Sequence, residues 1–332
     1  MSGPGDGQGE KKKRHPAVLF LRDAGIAFSF VACILLAMFA YTGLWPPLVV
    51  VESNSMMHSE DNVSYIGVID TGDLVLVKDV GSASDVVTYV EGAHTGHETY
   101  GDYGDVIVYR INGDDARTPI IHRAMVYLEA NLYSRTFRCE ALAFLERGPT
   151  GEWDTSNPTD TWDNLSSTLL LYHVGYNDLT VSVNLGTVIS YYRNTELPDG
   201  FVTKGDHNLQ TDVSGLLGNR LVAPGWIVGK ARGEIPWFGL LKLWSTHSLE
   251  SPAPPNSVRD LWIAMAVIVI APIGLDIILT YRLRRRIARR REVAVRENEL
   301  EMQGTAPEDG VDQQPPEGGG TTEGPEPPGK TN

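Results

Sequence analysis

Gly25–Leu44 reads GIAFSFVACILLAMFAYTGL, twenty residues without a charge. At 1.5 Å of rise per residue, a helix of that length crosses a hydrocarbon core of ~30 Å. A cleaved signal peptide is the rival reading. The apolar run is too long for one, and no small-x-small site stands clearly at its end. Residues 25–44 are therefore read as a first transmembrane helix. Residues 261–281, LWIAMAVIVIAPIGLDIILTY, carry one charge, Asp276, and predict a second span with Pro272 as a kink. Asp276 lies toward an arginine-rich end, where a cation can pair with it. Lys11, Lys12, Lys13, Arg14 and Arg22 precede the first run, and a cluster from Arg282 to Arg291 follows the second. The positive-inside rule puts residues 1–24 and 282–332 in the cytoplasm and 46–257 on the outer face of the cell membrane.

Charge follows the same division. Residues 46–257 hold 27 acidic and 13 basic side chains, so that stretch carries the whole net charge of −14. Lysine is scarce there, limited to Lys78, Lys204, Lys230 and Lys242. An acidic, lysine-poor surface suits molar salt, where screening removes long-range repulsion, and the expectation is a halophilic protein. No basic face offers itself to nucleic acid. Two cysteines make neither a disulfide framework nor a cysteine-based zinc site, and Cys33 falls in the first apolar run. The Gly/Pro/Glu-rich stretch 304–332 and residues 2–9 read as disordered.

Between the spans, short β-branched runs recur between turn signals: 74–77, 106–109, 120–127, 169–174, 179–190, 201–204 and 226–231. Gly72-Asp73, Gly104-Asp105 and Gly205-Asp206 mark turns beside three of them. No long stretch of 3.6-residue period appears outside the apolar runs. The fold class is mostly β: an extracytoplasmic β-rich domain anchored between two transmembrane helices.

Three stretches of this domain carry candidate chemistry. Val51–Ser59 (VESNSMMHS) brings serines to a point just after the first span; read alone, it serves equally as a juxtamembrane linker. Thr118–Tyr127 (TPIIHRAMVY) sets His122 in an apolar strand; a histidine there is either a satisfied core residue or a neutral base near pH 7. Phe201–Asp212 (FVTKGDHNLQTD) ends a strand in a turn with two aspartates, which supply turn chemistry or an acid that orients a histidine. Together they provide a nucleophile, a base and an acid.

In these boxes the chain resembles type I signal peptidases of the archaeal and endoplasmic-reticulum branch. Ser53-Asn54-Ser55-Met56 is similar to the family's Ser-Gly-Ser-Met box, and Gly72–Val75 and Gly104–Tyr109 to its Gly-Asp strands. Ile121-His122-Arg123 is similar to its His-Arg step, and Lys204–Asn208 with Asp212 to its Lys-Gly-Asp box and following acid. The resemblance implies a serine endopeptidase that removes signal peptides from exported preproteins. Ser55 would be the nucleophile, His122 the general base and Asp212 its orienting acid. Asp206 would support that acid or hold the loop. Ser53, with the Ser55 N–H, would stabilise the oxyanion, and Met56 completes the binding box. The family implies no metal or organic cofactor. Its partners are preproteins, the export translocon and membrane lipid.

The departures are specific. Asn54 replaces a glycine, Met57-His58 a Glu-Pro, and His207 an asparagine. The His122–Asp206 separation is long, and residues 139–195 read as an insertion of unassigned role; Gly81–Tyr103 also looks extended. The competing expectation is a docking protein that has lost catalysis or serves a narrow set of clients. Asn62-Val63-Ser64 and Asn164-Leu165-Ser166 are glycosylation sequons.

Overall fold

A computed structural model describes residues 16–59 and 62–304. The basic residues 11–14, the segment 2–9 and the tail beyond 304 lie outside the described residues. The chain divides into two units, one up to Met265 and one from Ala266.

Among the described residues two helices are long and apolar enough to cross a membrane. The first, α1 (Pro16–Thr42), starts before the uncharged run and stops two residues short of its end. The second, described here as α5 (Pro255–Gly304), continues through Pro272 and the arginine cluster, well past residue 281. Among the described residues, twelve strands and three short α-helices lie between them. The strands are β1 (Leu48–Val50), β2 (Leu74–Lys78), β3 (Glu98–Thr99), β4 (Asp102–Tyr103), β5 (Val106–Tyr109) and β6 (Ile120–Asn131). After these come β7 (Thr136–Arg138), β8 (Trp153–Thr155), β9 (Thr168–Val174), β10 (Leu179–Asn184), β11 (Gly200–Lys204) and β12 (Ile227–Ile235). The helices are α2 (Tyr89–Thr95), α3 (Leu185–Tyr191) and α4 (Gly239–Thr246).

The main sheet is antiparallel in the order β1-β2-β12-β5-β6-β11, with β7 added to the far end of β6. Its centre, β5, is buried on both faces, and its alternation sorts the core. Val106 and Val108 pack with Val51, Met56, Val75, Val77 and Ile121 on one face. Ile107 and Tyr109 pack with Ala124, Phe201 and Val222 on the other.

A register shift in the β6–β11 pair fixes which side chains share that second face. Phe201 lies opposite Tyr127 and Val202 opposite Val126, but Thr203 lies opposite Ala124. One extra residue of β6, Met125, is absorbed there as a bulge. Without it Thr203 would face Met125, on the opposite side of the sheet from His122.

Residues 139–195 hold a second β layer. Strands β8, β9 and β10 form a three-stranded sheet, whose Trp153, Leu169, Leu171, Val181 and Val183 bury against Met125, Val126 and Leu128 of β6. The run 179–190 does not stay extended. Asn184 accepts a hydrogen bond from the Thr187 N–H at 3.1 Å and starts α3. The extended loop before Tyr103 likewise holds α2, opened by a Thr88–Glu91 capping box. Helix α4 buries Leu240 and Leu243 against Leu261 at the start of α5.

Candidate active site

Neighbouring strands deliver the central residues. Ile107 of β5 lies opposite His122 of β6, and Tyr109 stands one step diagonally away on the same face. Thr203 of β11 joins them through the bulge. After Lys204 the chain leaves the sheet, loops through 205–211 and returns, with the Asp212 N–H donating to the Thr203 carbonyl at 2.9 Å. The Asp212 carboxylate thus arrives above three strands that all point at it.

One oxygen of that carboxylate, Oδ2, collects three partners. His122 Nδ1 lies 2.7 Å away. The Tyr109 hydroxyl donates at 3.0 Å and the Thr203 hydroxyl at 2.6 Å. Burial and the Asp212 charge push the Tyr109 phenol far above its ordinary range, so it stays a donor. The other ring nitrogen, His122 Nε2, lies 3.1 Å from Ser55 Oγ. A carboxylate holding Nδ1–H leaves Nε2 free to accept from a hydroxyl. His122 and Asp212 are buried, whereas Ser55 is half-exposed. Ser53 Oγ lies 3.2 Å from Ser55 Oγ.

Ser55 sits in a turn after β1, closed internally by the Met57 N–H donating to the Asn54 carbonyl at 3.1 Å. The turn is bound to the 205–211 loop by the His207 N–H, which donates to the Ser55 carbonyl at 2.9 Å. Gly205 is obligatory at this crossing. A Cβ there would stand 2.6 Å from the Ser55 carbonyl oxygen and 2.9 Å from His122 Nε2.

Asp206 does not touch His122. It forms a fork with Arg123, Nε to Oδ1 at 2.9 Å and Nη2 to Oδ2 at 2.6 Å, and takes His58 Nε2 at 2.9 Å. Burial pushes its carboxyl up, but the Arg123 guanidinium and His58 outweigh it and hold the group well below the usual carboxylate range. Of the two roles expected for Asp206, it fills that of holding the loop. Arg123 Nη1 faces four backbone carbonyls, those of Thr99, Asp102, Tyr103 and Gly104.

Other expected residues fall elsewhere. Met56, placed with the binding box, is buried against Val75 and Val106 and anchors the turn rather than lining the cleft. The Lys204 ammonium donates to the Gly205 and Asp206 carbonyls and is pushed down by burial. Lys230 pairs with Asp105 at 2.8 Å. His97 is half-buried and reaches the same Asp105 at 3.0 Å. Asn164 is exposed, whereas Asn62 is half-buried in a left-handed conformation. Sequence reasoning missed Tyr109 and Thr203; their signal was the face-sharing of three strands, visible only once the bulge is known.

A cleft of about 790 Å³ opens at Ser55 and His122. One wall is Val50–Ser53, another is residues 118–122, and Leu209 and Leu216 stand exposed at its rim. Pairing with β11 stops at Arg123, so among the described residues Ile120–His122 have a strand partner only on the β5 side, and β1 pairs only with β2. Two strand edges therefore face an open slot beside the serine. Among the described residues no cluster of metal-ligating side chains occurs. No family model matches the chain, and no curated protein or solved structure matches it.

Proposed function

We propose that this chain is a membrane-anchored serine endopeptidase that removes signal peptides from exported preproteins. The observation that carries the reading is the relay Ser55–His122–Asp212 set at a cleft between two open strand edges. An extended peptide adds a strand to such an edge, its main chain supplying affinity and alternate side chains entering the walls.

In this reading Ser55 Oγ attacks the scissile carbonyl carbon while its proton passes to His122 Nε2. The C–N bond then breaks as His122 returns that proton to the departing amine, leaving an acyl ester on Ser55. A water molecule deprotonated by His122 hydrolyses the ester. Asp212 holds the ring by Nδ1 and balances its positive charge in each half-reaction. Ser53 Oγ and the Ser55 N–H face the developing oxyanion, a contribution of ~3–4 kcal/mol for one donor.

The two apolar helices and the basic residues beside them support a two-pass anchor with both termini in the cytoplasm. The domain then works on the outer face, where the apolar core of a signal peptide ends. Ser55 follows the end of α1 by thirteen residues, which keeps the nucleophile near that plane.

The test is cleavage of a preprotein by membranes carrying the wild type, Ser55→Ala or His122→Ala in molar salt. Trimming by the wild type alone, at a small-x-small site, is expected. Equal trimming by all three, or none by the wild type on several precursors, overturns the reading.

A further inference from the structure

Three of the places where the sequence departs from the signal-peptidase pattern meet in space: His58, His207 and the layer within 139–195. Their junction is Tyr176, in the turn Gly175–Asp178 that joins β9 to β10. The Tyr176 ring stacks on His58 at 4.7 Å between centroids and 19° between planes. Its hydroxyl lies 2.9 Å from His207 Nδ1.

Both contacts lead to the nucleophile. His58 follows Ser55 by three residues and is tied at Nε2 to Asp206, itself locked to buried Arg123. Gly101 also borders the His58 ring, where a Cβ would make ordinary contact at 3.4 Å. His207 is the residue whose N–H donates to the Ser55 carbonyl. A side chain that holds both His58, just past the Ser55 turn, and His207, in the loop bound to that turn, restricts how the turn can tilt.

The turn that carries Tyr176 is itself held. Val174 and Val181 are buried on either side of it. The Tyr89 hydroxyl of α2 donates to the His173 carbonyl at 3.3 Å and accepts from the Gly175 N–H at 3.2 Å. A rigid support behind a reacting group is what keeps it within a few tenths of an ångström of its working position.

We infer that Tyr176 is a positioning residue, and that the layer within 139–195 serves to clamp the Ser55 turn against His122 through His58 and His207. The inference rests on the peptidase reading for its effect on catalysis. It requires no contact between Tyr176 and substrate. Loosening the turn misplaces Ser55 Oγ relative to Nε2, and a 1 Å misplacement of a reacting group costs about 10²-fold.

The experiment uses the full chain in detergent, with Tyr176→Phe, which keeps the stack and loses the hydroxyl, and Tyr176→Ala, which loses both. Cleavage of a peptide spanning a small-x-small site gives kcat and KM. Hydrogen exchange at the His207 amide reports the clamp without reference to activity. The expected result is a kcat lower by about threefold in Tyr176→Phe and about tenfold or more in Tyr176→Ala, with KM within about twofold. Exchange at the His207 amide should quicken in the same order. Unchanged kcat and unchanged exchange in Tyr176→Ala overturn the clamp. A kcat that falls only with the folded fraction does so too. A wild type that cleaves nothing overturns the peptidase reading instead, and the exchange rates then decide the clamp by themselves.

Discussion

Asp206 and Asp212, two acids of one loop, take adjacent residues of β6: Asp212 binds His122 and Asp206 binds Arg123. Adjacent strand residues point to opposite faces. The two carboxylates are therefore separated by the sheet and cannot exchange roles. Asp212→Asn should lower kcat by about 10³–10⁴-fold with little loss of fold, since an amide cannot hold the Nδ1–H tautomer or balance the imidazolium. Asp206→Asn should instead leave Arg123 buried and uncompensated, costing about 3–5 kcal/mol of stability. Its activity per folded molecule should fall far less. Steady-state kinetics set beside thermal unfolding separates the two; equal kinetic losses would contradict the assignment.

Gly205 gives a sharper steric test. Its missing Cβ is the space between the Ser55 carbonyl and His122 Nε2. Backbone and a buried ring have no room to retreat, unlike the end of a flexible side chain. Gly205→Ala should cut cleavage by more than about 10²-fold, through displacement of the nucleophile from its base. A variant with wild-type kcat would mean that the turn and the loop do not meet this closely in solution.

Buried acids away from the cleft set a pH dependence of stability. Burial raises Asp70 to about 6 and Asp73 to about 7, despite backbone N–H donors from Tyr65 to the first and from Trp237 to the second. A carboxyl raised in the folded state binds its proton more tightly there than in the unfolded chain. Stability from this source is present at low pH and is lost as pH rises from about 4 through about 7. Asp206, held low, acts in the opposite sense, with its contribution complete above about pH 4 and lost below it. Among the described residues Asp70 Oδ1 has no hydrogen-bond partner, so Asp70→Asn removes the charge while Tyr65 keeps an acceptor. The variant should flatten the fall in Tm between pH 5 and 7.5, by at most ~3 kcal/mol in the equivalent free energy. Parallel Tm curves for wild type and variant would rule Asp70 out as the source.

What was legible in the sequence follows from locality. Val106–Tyr109 was readable because Gly-Asp precedes four residues buried on both faces. The order of Ser55, His122 and Asp212 was readable from the boxes around them. The helix Leu185–Tyr191 was not, because β-branched Val188 and Ile189 resemble strand and only the Asn184 cap decides otherwise. Thr203 was hidden because one bulge residue, Met125, determines which face it joins. Tyr176 was hidden more deeply, since nothing within the turn after β9 announces a partner more than a hundred residues earlier. Met56 shows the converse: a side chain next to Ser55 in sequence points into the core.

The acidic surface yields the last prediction. Residues 46–257 carry the entire net charge of −14, with four lysines among them. In dilute buffer the Debye length is ~30 Å at 0.01 M, so exposed carboxylates repel across the domain; at 1 M it is ~3 Å and they do not. Repulsion of this kind weakens the compact state, because unfolding lets the charges separate. The buried ion pairs of Arg123 with Asp206 and Lys230 with Asp105 lie beyond the reach of salt and should not change. Tm should therefore rise steadily from millimolar to molar KCl, and kcat with it. Arg123→Met and Asp206→Asn should shift the whole curve downward without altering its slope. A Tm independent of salt would remove the argument for salt adaptation and leave the acidic surface as ordinary solvation. A slope that changes in those variants would place the salt effect at the buried pair, close to Ser55, rather than on the surface.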